Sequence, residues 1–327
     1  MLSQDVISHS QAEKVNSGKK EITLGNPFFM LFLVSLIWGF NFSIIKNGVM
    51  AIGPLPFSLL RFLFSSMVMF FVLWKTEGNP FIQKEDIGYF IFLGFIGFGI
   101  YQPLWTFGLR LSLASHSALI LSVSPVVVTL IAWVKKEEMI SWSNFLGVVI
   151  GFLGVLLIVR QGSGGNSLSH NIWKGDAITF VAAVCWGLYS YFGKNMVKKY
   201  SPLKTSTWSI LFGTLMMFPI SIWDVRKLTL ASFSRTVNFS IFYGVVLSSL
   251  VAHIIWMNGV KKLGSSRTSS FQYVTQLVGV FGAWLFFREP LGWGFLVGMI
   301  LISFGLWLCQ RKGYVLKDSE FEPPTPE

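Results

Sequence analysis

The chain has 327 residues, of which 53% are hydrophobic and 16% aromatic, whereas charged residues make up only 13%. Soluble proteins carry roughly 25% charged residues, so this composition excludes an ordinary soluble protein and indicates a membrane protein. The net charge of +11 would suit nucleic-acid binding, but the basic residues lie between apolar stretches rather than in one patch. We therefore expect a lipid bilayer as a partner and no nucleic acid.

Ten apolar segments follow a polar N-terminal region, residues 1–26, and each approaches the roughly 20 residues that a helix needs to cross a bilayer. They lack the alternation of membrane β-strands. We number these predicted spans 1 to 10 in chain order: 27–46, 55–74, 87–109, 112–134, 140–159, 176–194, 205–223, 238–259, 268–287 and 290–310. The sequence thus predicts an all-α integral membrane protein with ten transmembrane helices and a polar tail at 311–327.

Basic residues are distributed unevenly between alternate connections. With a cytoplasmic N-terminus, 17 of the 26 Lys and Arg residues fall in cytoplasmic segments, and Arg61 lies inside span 2. The outer segments hold the remaining eight: Lys46, Arg110, Arg160, Lys174, Arg226, Lys227, Arg235 and Arg288. Because cytoplasmic loops carry an excess of Lys and Arg, this bias predicts a cell-membrane protein with both termini in the cytoplasm.

Two sets of residues recur in a fixed register. Trp38-Gly39, Lys46-Asn47 and Pro54-Leu55 each recur 148 residues later, and further along the chain the offset becomes 151. The pairs at the second offset are Trp105/Trp256, Gly108/Gly259, Ser115/Ser266, Trp133/Trp284, Glu138/Glu289, Trp142/Trp293, Gly147/Gly298 and Gly154/Gly305. Such a sustained register indicates an internal duplication, with a first repeat at 27–160 and a second at 174–310.

Each repeat contains five predicted spans, an odd number, so the second repeat must enter the membrane in the opposite sense to the first. Inverted repeats are typical of secondary transporters, in which two like halves exchange conformations and open a central site to alternate sides. We therefore predict two inverted five-helix repeats and a small-molecule substrate that crosses the membrane by alternating access.

Several stretches resemble the EamA type of the drug/metabolite transporter superfamily. They are WGFNFSIIKNG at 38–48, WGLYSYFGKN at 186–195, and the apolar stretches at 118–158 and 281–308. In this family a Gly-Glu or Arg-Glu pair commonly sits between the fourth and fifth helices of each repeat. Here those positions hold Glu137-Glu138 and Arg288-Glu289, so the first pair departs from the pattern. The resemblance covers about residues 27–310 and implies transport of metabolites or drugs, with export favoured over import.

Arg61 is the only fully charged residue well inside a predicted span, and Ser209 stands at its equivalent position. A charge at this depth is costly. We expect Arg61 either to bind an anionic group of the substrate or to extend its side chain to the outer headgroups. Lys46 and Lys194 end spans 1 and 6 at equivalent positions and fit either interfacial anchors or a gate-lining pair.

Aromatic and amide side chains crowd the inner spans of both repeats, and ligand sites are mostly apolar with a few placed polar groups. Such a cavity suits an amphipathic or aromatic metabolite, although the same side chains also serve helix packing. Two histidines are alternatives as proton carriers or as hydrogen-bonded packing groups. The candidate substrate-binding residues are Trp38, Asn41, Arg61, Tyr101, Gln102, Trp105, His116, Trp186, Tyr189, His253, Trp256, Gln272, Tyr273 and Gln276.

Catalytic and metal chemistry have little basis in the sequence. No Asp or Glu lies deep in a span, no His-x-x-x-His occurs, and Cys185 and Cys309 have no metal-binding spacing. We therefore expect no enzyme, no catalytic or metal-binding residues and no cofactor. The sequence contains no Walker motif, which argues against direct use of ATP.

Close helix packing is predicted by Gly147-xxx-Gly151 in span 5 and Gly294-xxx-Gly298 in span 10. Packing within one chain is the default, and a homodimer through spans 5 and 10 is the alternative.

The combined features predict a secondary transporter that exports a small metabolite, such as an amino acid or an amphipathic or drug-like compound. An importer or exchanger is the alternative direction. A non-transporting membrane receptor or scaffold is the alternative of another class.

Overall fold

The computed structural model describes residues 25–135, 138–139, 142–162, 170–289, 293–310 and 315–316, and every predicted span is helical within these stretches. Seven helical runs are long and apolar enough to cross a membrane: Pro27–Ile52, Pro54–Glu77, Lys84–Leu111, Ala114–Val134, Pro202–Val225, Arg235–Leu263 and Ser265–Phe287. The prediction of an all-α, multi-pass membrane protein is confirmed at this level. Apart from residues 25 and 26, the N-terminal region 1–26 lies outside the described residues.

The helices are, in chain order, α1 Pro27–Ile52, α2 Pro54–Glu77, α3 Ile87–Gly94, α4 Tyr101–Leu111, α5 Ala114–Ile120, α6 Val123–Val134, α7 Trp142–Gly162, α8 His170–Lys199, α9 Pro202–Val225, α10 Arg235–Tyr243, α11 Ala252–Leu263, α12 Ser265–Ser270, α13 Gln272–Phe287 and α14 Trp293–Gln310. Short 3₁₀ turns precede α3 and α10. Several of these helices extend past the predicted spans, as α2 does through the polar turn that ends at Glu77.

Proline and glycine set the boundary between the first two helices. Proline occupies the first position of both α1 and α2, where its missing N–H needs no partner. Asn26 caps α1 by accepting a hydrogen bond from the Phe28 amide at 2.9 Å. Gly53 joins the helices with a φ of 91°, a left-handed conformation that a side chain would strain.

Spans 3 and 8 each contain a wide helical turn at an equivalent place. A π-helical segment, Phe95–Ile100, joins α3 to α4, and a second, Gly244–Val251, joins α10 to α11. The first repeat has Pro103 just beyond this turn, whereas the second has Ile254 at the equivalent position. Because both repeats have the turn, it belongs to the duplicated unit and does not depend on the proline.

Spans 4 and 9 are each broken after their first turns, between α5 and α6 and between α12 and α13. Pro125 accounts for the first break, because its ring excludes the carbonyl of the residue four positions earlier, Leu121. The second break, at Phe271, has no proline at the corresponding distance. The broken helix is therefore also a property of the repeat.

Equivalent glycines make equivalent close contacts between the two halves. A Cβ added to Gly39 of α1 would lie 2.4 Å from Val278 Cβ in α13. A Cβ added to Gly187 of α8 would lie 2.9 Å from Val127 Cβ in α6. Since Gly187 and Val127 are the repeat equivalents of Gly39 and Val278, the same contact is made twice with the roles of the halves exchanged.

Filling either glycine contact should destabilise the bundle. We expect Gly39→Val and Gly187→Val each to cost about 1–3 kcal/mol, because the added methyl groups collide with a packed helix. The measurement is thermal unfolding of the detergent-purified protein, followed by tryptophan fluorescence. Gly88→Val is the matched control, since nothing lies within 4 Å of a Cβ added at Gly88. Equal melting temperatures for all three variants would contradict the close packing.

Spans 5 and 10 pack against each other within one chain. A Cβ on Gly154 of α7 would lie 2.9 Å from the Gly298 carbonyl oxygen, and a Cβ on Gly305 of α14 would lie 2.5 Å from the Gly147 carbonyl oxygen. The predicted small-residue face of span 5 is therefore used inside the monomer. A homodimer through spans 5 and 10 stays a prediction.

Polar contacts tie together connections at one end of the bundle, which we call the Lys46 end. Lys46 Nζ donates to the Ser112 carbonyl at 2.7 Å, and the Ser112 hydroxyl donates to Asp176. Glu289 accepts hydrogen bonds from the amides of Ala114 and Ser115 at 3.2 and 3.1 Å. These contacts join the connections between spans 1 and 2, 3 and 4, 5 and 6, and 9 and 10.

A second set of contacts closes the opposite end, which we call the Tyr200 end. The Tyr200 hydroxyl donates to Asp86, which also pairs with Lys199 Nζ at 2.6 Å. The Ser201 hydroxyl donates to Glu77. These contacts join the connection between spans 2 and 3 to that between spans 6 and 7.

Two residues of the predicted polar tail have a defined partner. Val315–Leu316 pairs antiparallel with Glu138–Met139, the connection between spans 4 and 5. The rest of the tail lies outside the described residues.

Candidate functional site

A small cavity of about 40 Å³ lies between the two repeats, and all thirteen residues that line it are buried. Its lining residues are Trp38, Asn41, Phe42, Arg61, Tyr101, Gln102, Trp105, Leu121, Trp186, Ser248, His253, Gln272 and Thr275. The first eight come from the first repeat and the last five from the second. This volume accommodates only a few water molecules, so a metabolite requires the cavity to widen.

Aromatic rings form one wall of the cavity. The Trp38 ring lies edge-on to Trp186, with centroids 5.3 Å apart, and 5.1 Å from the rings of His253 and Trp256. Tyr101 lies 5.3 Å from Trp186 on the other side. Trp38 and Trp186 are repeat equivalents, so the two Trp-Gly motifs meet at the centre of the molecule.

Arg61 points into the protein, and its side chain reaches the second repeat. It is 2% exposed; Nε donates to the Gly244 carbonyl at 3.3 Å and Nη2 donates to the Ser248 hydroxyl at 2.8 Å. The guanidinium carbon lies 4.6 Å from the centre of the Phe62 ring. The prediction that Arg61 extends to the outer headgroups is wrong, because α2 turns this side chain toward the π-helical segment of span 8.

The guanidinium of Arg61 has one nitrogen without a hydrogen-bond partner and no counter-ion within the described parts of the chain. Nη1 is buried without a hydrogen-bond partner, and among the described residues no carboxylate forms an ion pair with Arg61. An unpaired charge in a low-dielectric interior is costly. The cavity therefore presents an unsatisfied positive charge.

Other unsatisfied polar atoms lie on the cavity-lining residues. Asn41 Oδ1, Gln102 Oε1, Trp105 Nε1 and His253 Nε2 are buried and lack partners within the protein. His253 Nδ1 lies 2.7 Å from the Ser248 carbonyl oxygen, which can only accept, so Nδ1 carries the proton. In the neutral ring His253 Nε2 is then an acceptor. Buried polar atoms need partners, so these atoms are suited to bind a ligand or water.

The structure brings together nine of the fourteen predicted site residues. The nine that line the cavity are Trp38, Asn41, Arg61, Tyr101, Gln102, Trp105, Trp186, His253 and Gln272.

Three of the other predicted site residues pack directly behind the cavity wall. Trp256 lies 5.9 Å from Trp186, and Tyr189 packs against Trp186 and Phe98. Gln276 Nε2 donates to Gln272 Oε1 at 3.3 Å. They lie one layer outside the cavity, behind the lining residues Trp186 and Gln272.

The remaining two predicted residues lie away from the cavity. His116 Nδ1 is 3.1 Å from Asp176 at the Lys46 end, and the Tyr273 hydroxyl donates to the Val148 carbonyl of α7 at 2.9 Å. Their helices turn these side chains toward neighbouring helices rather than the centre. Lys194, predicted as an interfacial anchor or gate residue, is only 4% exposed.

Four lining residues were not predicted: Phe42, Leu121, Ser248 and Thr275. Phe42 and Leu121 resemble the other apolar residues of their spans, so composition does not distinguish them. Ser248 is four residues beyond Gly244, and only the fold shows that both receive Arg61. Thr275 is the repeat equivalent of Ser124, a polar pair that the internal register could have revealed.

The Arg-Glu pair between spans 9 and 10 shapes the Lys46 end. Arg288 ends α13 with a φ of 56°, a left-handed conformation in which glycine is the least strained residue. The turn directs Glu289 onto the free amides at the start of α5, where a carboxylate is stabilised by the helix N-terminus. This geometry explains why a Gly-Glu pair suits the position.

Comparisons with known proteins agree with this architecture. The model of the EamA-like transporter family matches residues 26–160 and 173–310. The uncharacterized transporter YyaM of Bacillus subtilis is 29% identical over 248 residues, which are 75% of this chain and 81% of YyaM. A probable amino-acid metabolite efflux pump of Salmonella typhimurium is 24% identical over 294 residues, or 86% of this chain and 93% of the pump.

A solved crystal structure shares the fold, with a TM-score of 0.66 at 14% identity over 86% of this chain and 97% of that chain. The family and the named relatives are transporters, which confirms the predictions of a transporter and of no enzyme. Two copies of the family domain account for most of the sequence, and the chain belongs to the EamA-like transporter family.

Proposed function

We propose that the protein is a secondary transporter in the cell membrane that exports a small metabolite by alternating access. The observation that carries this proposal is the buried cavity between the two repeats, lined by side chains from both. A site at the interface of two repeats changes its exposure when one half moves against the other. The proposal includes ten membrane crossings and two inverted five-helix repeats.

Contacts at the two ends support the inverted arrangement. Lys46 Nζ binds Ser112, just after α4, whereas Asn195 Nδ2 donates to the Tyr89 hydroxyl near the start of α3. Lys46 and Lys194, the neighbour of Asn195, are repeat equivalents. The equivalent ends of spans 1 and 6 therefore contact opposite ends of span 3, which supports an inverted arrangement of the two repeats.

The equivalent glycine contacts support an exchange between conformations. The contact of Gly39 with α13 has its counterpart in that of Gly187 with α6. Two halves that make the same contacts can adopt each other's conformation at little difference in energy. Polar networks close the Lys46 end and the Tyr200 end at the same time, which fits an occluded intermediate between two open states.

Direction and orientation rest on two further observations. The excess of Lys and Arg in alternate connections supports a cytoplasmic Tyr200 end, with both termini in the cytoplasm. Export is supported by the name of the Salmonella relative, a probable amino-acid metabolite efflux pump.

Trp186→Ala should lower transport at least tenfold, because the variant loses part of the aromatic wall of the cavity, and each contact between aromatic rings is worth roughly 1 kcal/mol. The measurement is counterflow of radiolabelled amino acids, aromatic acids and amphipathic drugs in proteoliposomes. Trp133→Ala is the matched control, since Trp133 is 62% exposed on the outside of the bundle. No counterflow of any compound by the wild type would favour the receptor or scaffold class instead.

A further inference from the structure

We infer that the substrate is a monovalent organic anion, a carboxylate on a flat apolar body, whose carboxylate binds Arg61 Nη1. This inference rests on the proposed transport function and names the substrate class of the same cavity. It depends on the free donor of Arg61, on the charge balance of the lining and on a local break in the repeat symmetry.

The free donor is held in place by three contacts. Gly244 and Ser248 accept hydrogen bonds from Nε and Nη2, and the Phe62 ring covers one face of the guanidinium. Of the three guanidinium nitrogens, only Nη1 has no hydrogen-bond partner, and Arg61 lines the cavity and is 2% exposed. A preorganised guanidinium with one unused donor is suited to bind an oxygen anion, because a charged hydrogen bond is stronger than a neutral one.

The lining sets the net charge of the ligand. Arg61 is the only Lys or Arg among the thirteen lining residues, and none of them is Asp or Glu. A single negative charge compensates the guanidinium, whereas a doubly charged phosphate leaves one buried charge unpaired. A zwitterion adds an ammonium group that no lining carboxylate can neutralise. Monocarboxylates are therefore favoured over both.

The two repeats differ in sequence where the Arg61 side chain contacts Gly244 and Ser248. The equivalents of Arg61, Gly244 and Ser248 in the other repeat are Ser209, Leu93 and Gly97. All three members of the Arg61 contact thus differ from their equivalents, whereas the contacts of Gly39 and Gly187 are duplicated.

Beside Gly97, the repeat equivalent of Ser248, the Tyr189 ring fills the space that the cavity occupies beside Ser248. A Cβ on Gly97 would lie 2.4 Å from the Tyr189 ring, which packs against Phe98 and Trp186. Asn41, the repeat equivalent of Tyr189, lines the open side instead. One side of the pseudo-symmetric centre is therefore filled by the Tyr189 ring, and the other side holds the Arg61 guanidinium next to the cavity.

Gly244 positions the guanidinium. A Cβ added there would lie 2.8 Å from Arg61 Cδ and 2.9 Å from Nε. Gly244→Ala therefore displaces the Arg61 side chain without changing any charge, and it tests the position of the donor separately from its presence.

The experiment uses the full chain in detergent and four compounds that share a phenyl ring: 3-phenylpropanoate, phenylalanine, phenethylamine and 3-phenylpropan-1-ol. Ligands that bind the folded state raise the melting temperature by mass action. We expect the carboxylate to bind at least tenfold more tightly than the other three. Arg61→Gln should remove this preference, Gly244→Ala should weaken it, and Arg235→Gln, a change at an exposed arginine, should leave it intact.

Arg61→Gln also reports on folding, because it removes an unpaired buried charge and should melt no lower than the wild type without ligand. The inference is overturned if the alcohol or the amine binds as tightly as the carboxylate, or if Arg61→Gln keeps the preference. It is also overturned if no acid from benzoate to 4-phenylbutanoate raises the melting temperature.

Counterflow of a neutral or cationic compound that does not depend on Arg61 would overturn the inference and leave the transport function standing. A carboxylate that binds through Arg61 without counterflow would count against transport alone.

Discussion

Covalently linking either end of the bundle should reduce counterflow to the level of empty vesicles. At the Lys46 end the pair is Ser112→Cys with Asp176→Cys, and at the Tyr200 end it is Glu77→Cys with Ser201→Cys. In each pair the native side chains share a hydrogen bond, so a short thiol-reactive crosslinker can join them. Alternating access requires each end to open in turn, so one link at either end stops the cycle.

The crosslinking experiment requires a background in which Cys185 and Cys309 are replaced by serine. Each single-cysteine variant, treated with the same reagent, is the control for modification without linkage. A cleavable crosslinker adds a second control, because reduction should restore counterflow. Full counterflow with both ends completely linked would exclude alternating access through these ends and favour a route that leaves the two networks closed.

The helical architecture follows closely from the sequence, because its causes are local. Apolar length predicts the spans, and the recurrence of Trp38-Gly39 at Trp186-Gly187 predicts the duplication. The wide turns at Phe95–Ile100 and Gly244–Val251 have no such local cause. They depend on packing between helices, and neither proline nor glycine marks them consistently in both repeats.

Predicting the site was limited by helix rotation. A span that is apolar on every side does not indicate which face points inward, so the two expectations for Arg61 could not be separated from the sequence. The structure resolves them, because Gly244 of the opposite repeat leaves space for the Arg61 side chain. The same limit explains why His116 and Tyr273 were included although their helices direct them to other neighbours.

The internal register contains more information about the site than composition does. Trp38 and Trp186, which keep their identity in both repeats, meet at the pseudo-symmetric centre, whereas Trp133, which also keeps its identity, is exposed. Residues that differ between equivalent positions mark where the two halves have different roles, as Arg61 and Ser209 do.

Trp38→Ala should produce the largest loss of stability of any single substitution considered, about 3–5 kcal/mol. The Trp38 ring packs against Trp186, His253 and Trp256, and its Nε1 donates to the Ser248 carbonyl at 3.0 Å. Truncation leaves a void among rings that cannot easily collapse. The measurement is the melting temperature of the detergent-purified protein, which should fall by many degrees.

Two further variants separate packing from hydrogen bonding at Trp38. Trp38→Phe keeps most of the ring contacts and loses only the Nε1 donor. It should lower the free energy of unfolding by about 1 kcal/mol more than a substitution at an exposed position does. Trp74→Ala is the matched control, because Trp74 is 54% exposed on the surface of the bundle. If Trp38→Ala melts at the same temperature as Trp74→Ala, the aromatic cluster does not hold the two repeats together. The rings of the cavity wall would then move apart at little cost in free energy, and the cavity could widen to admit a metabolite.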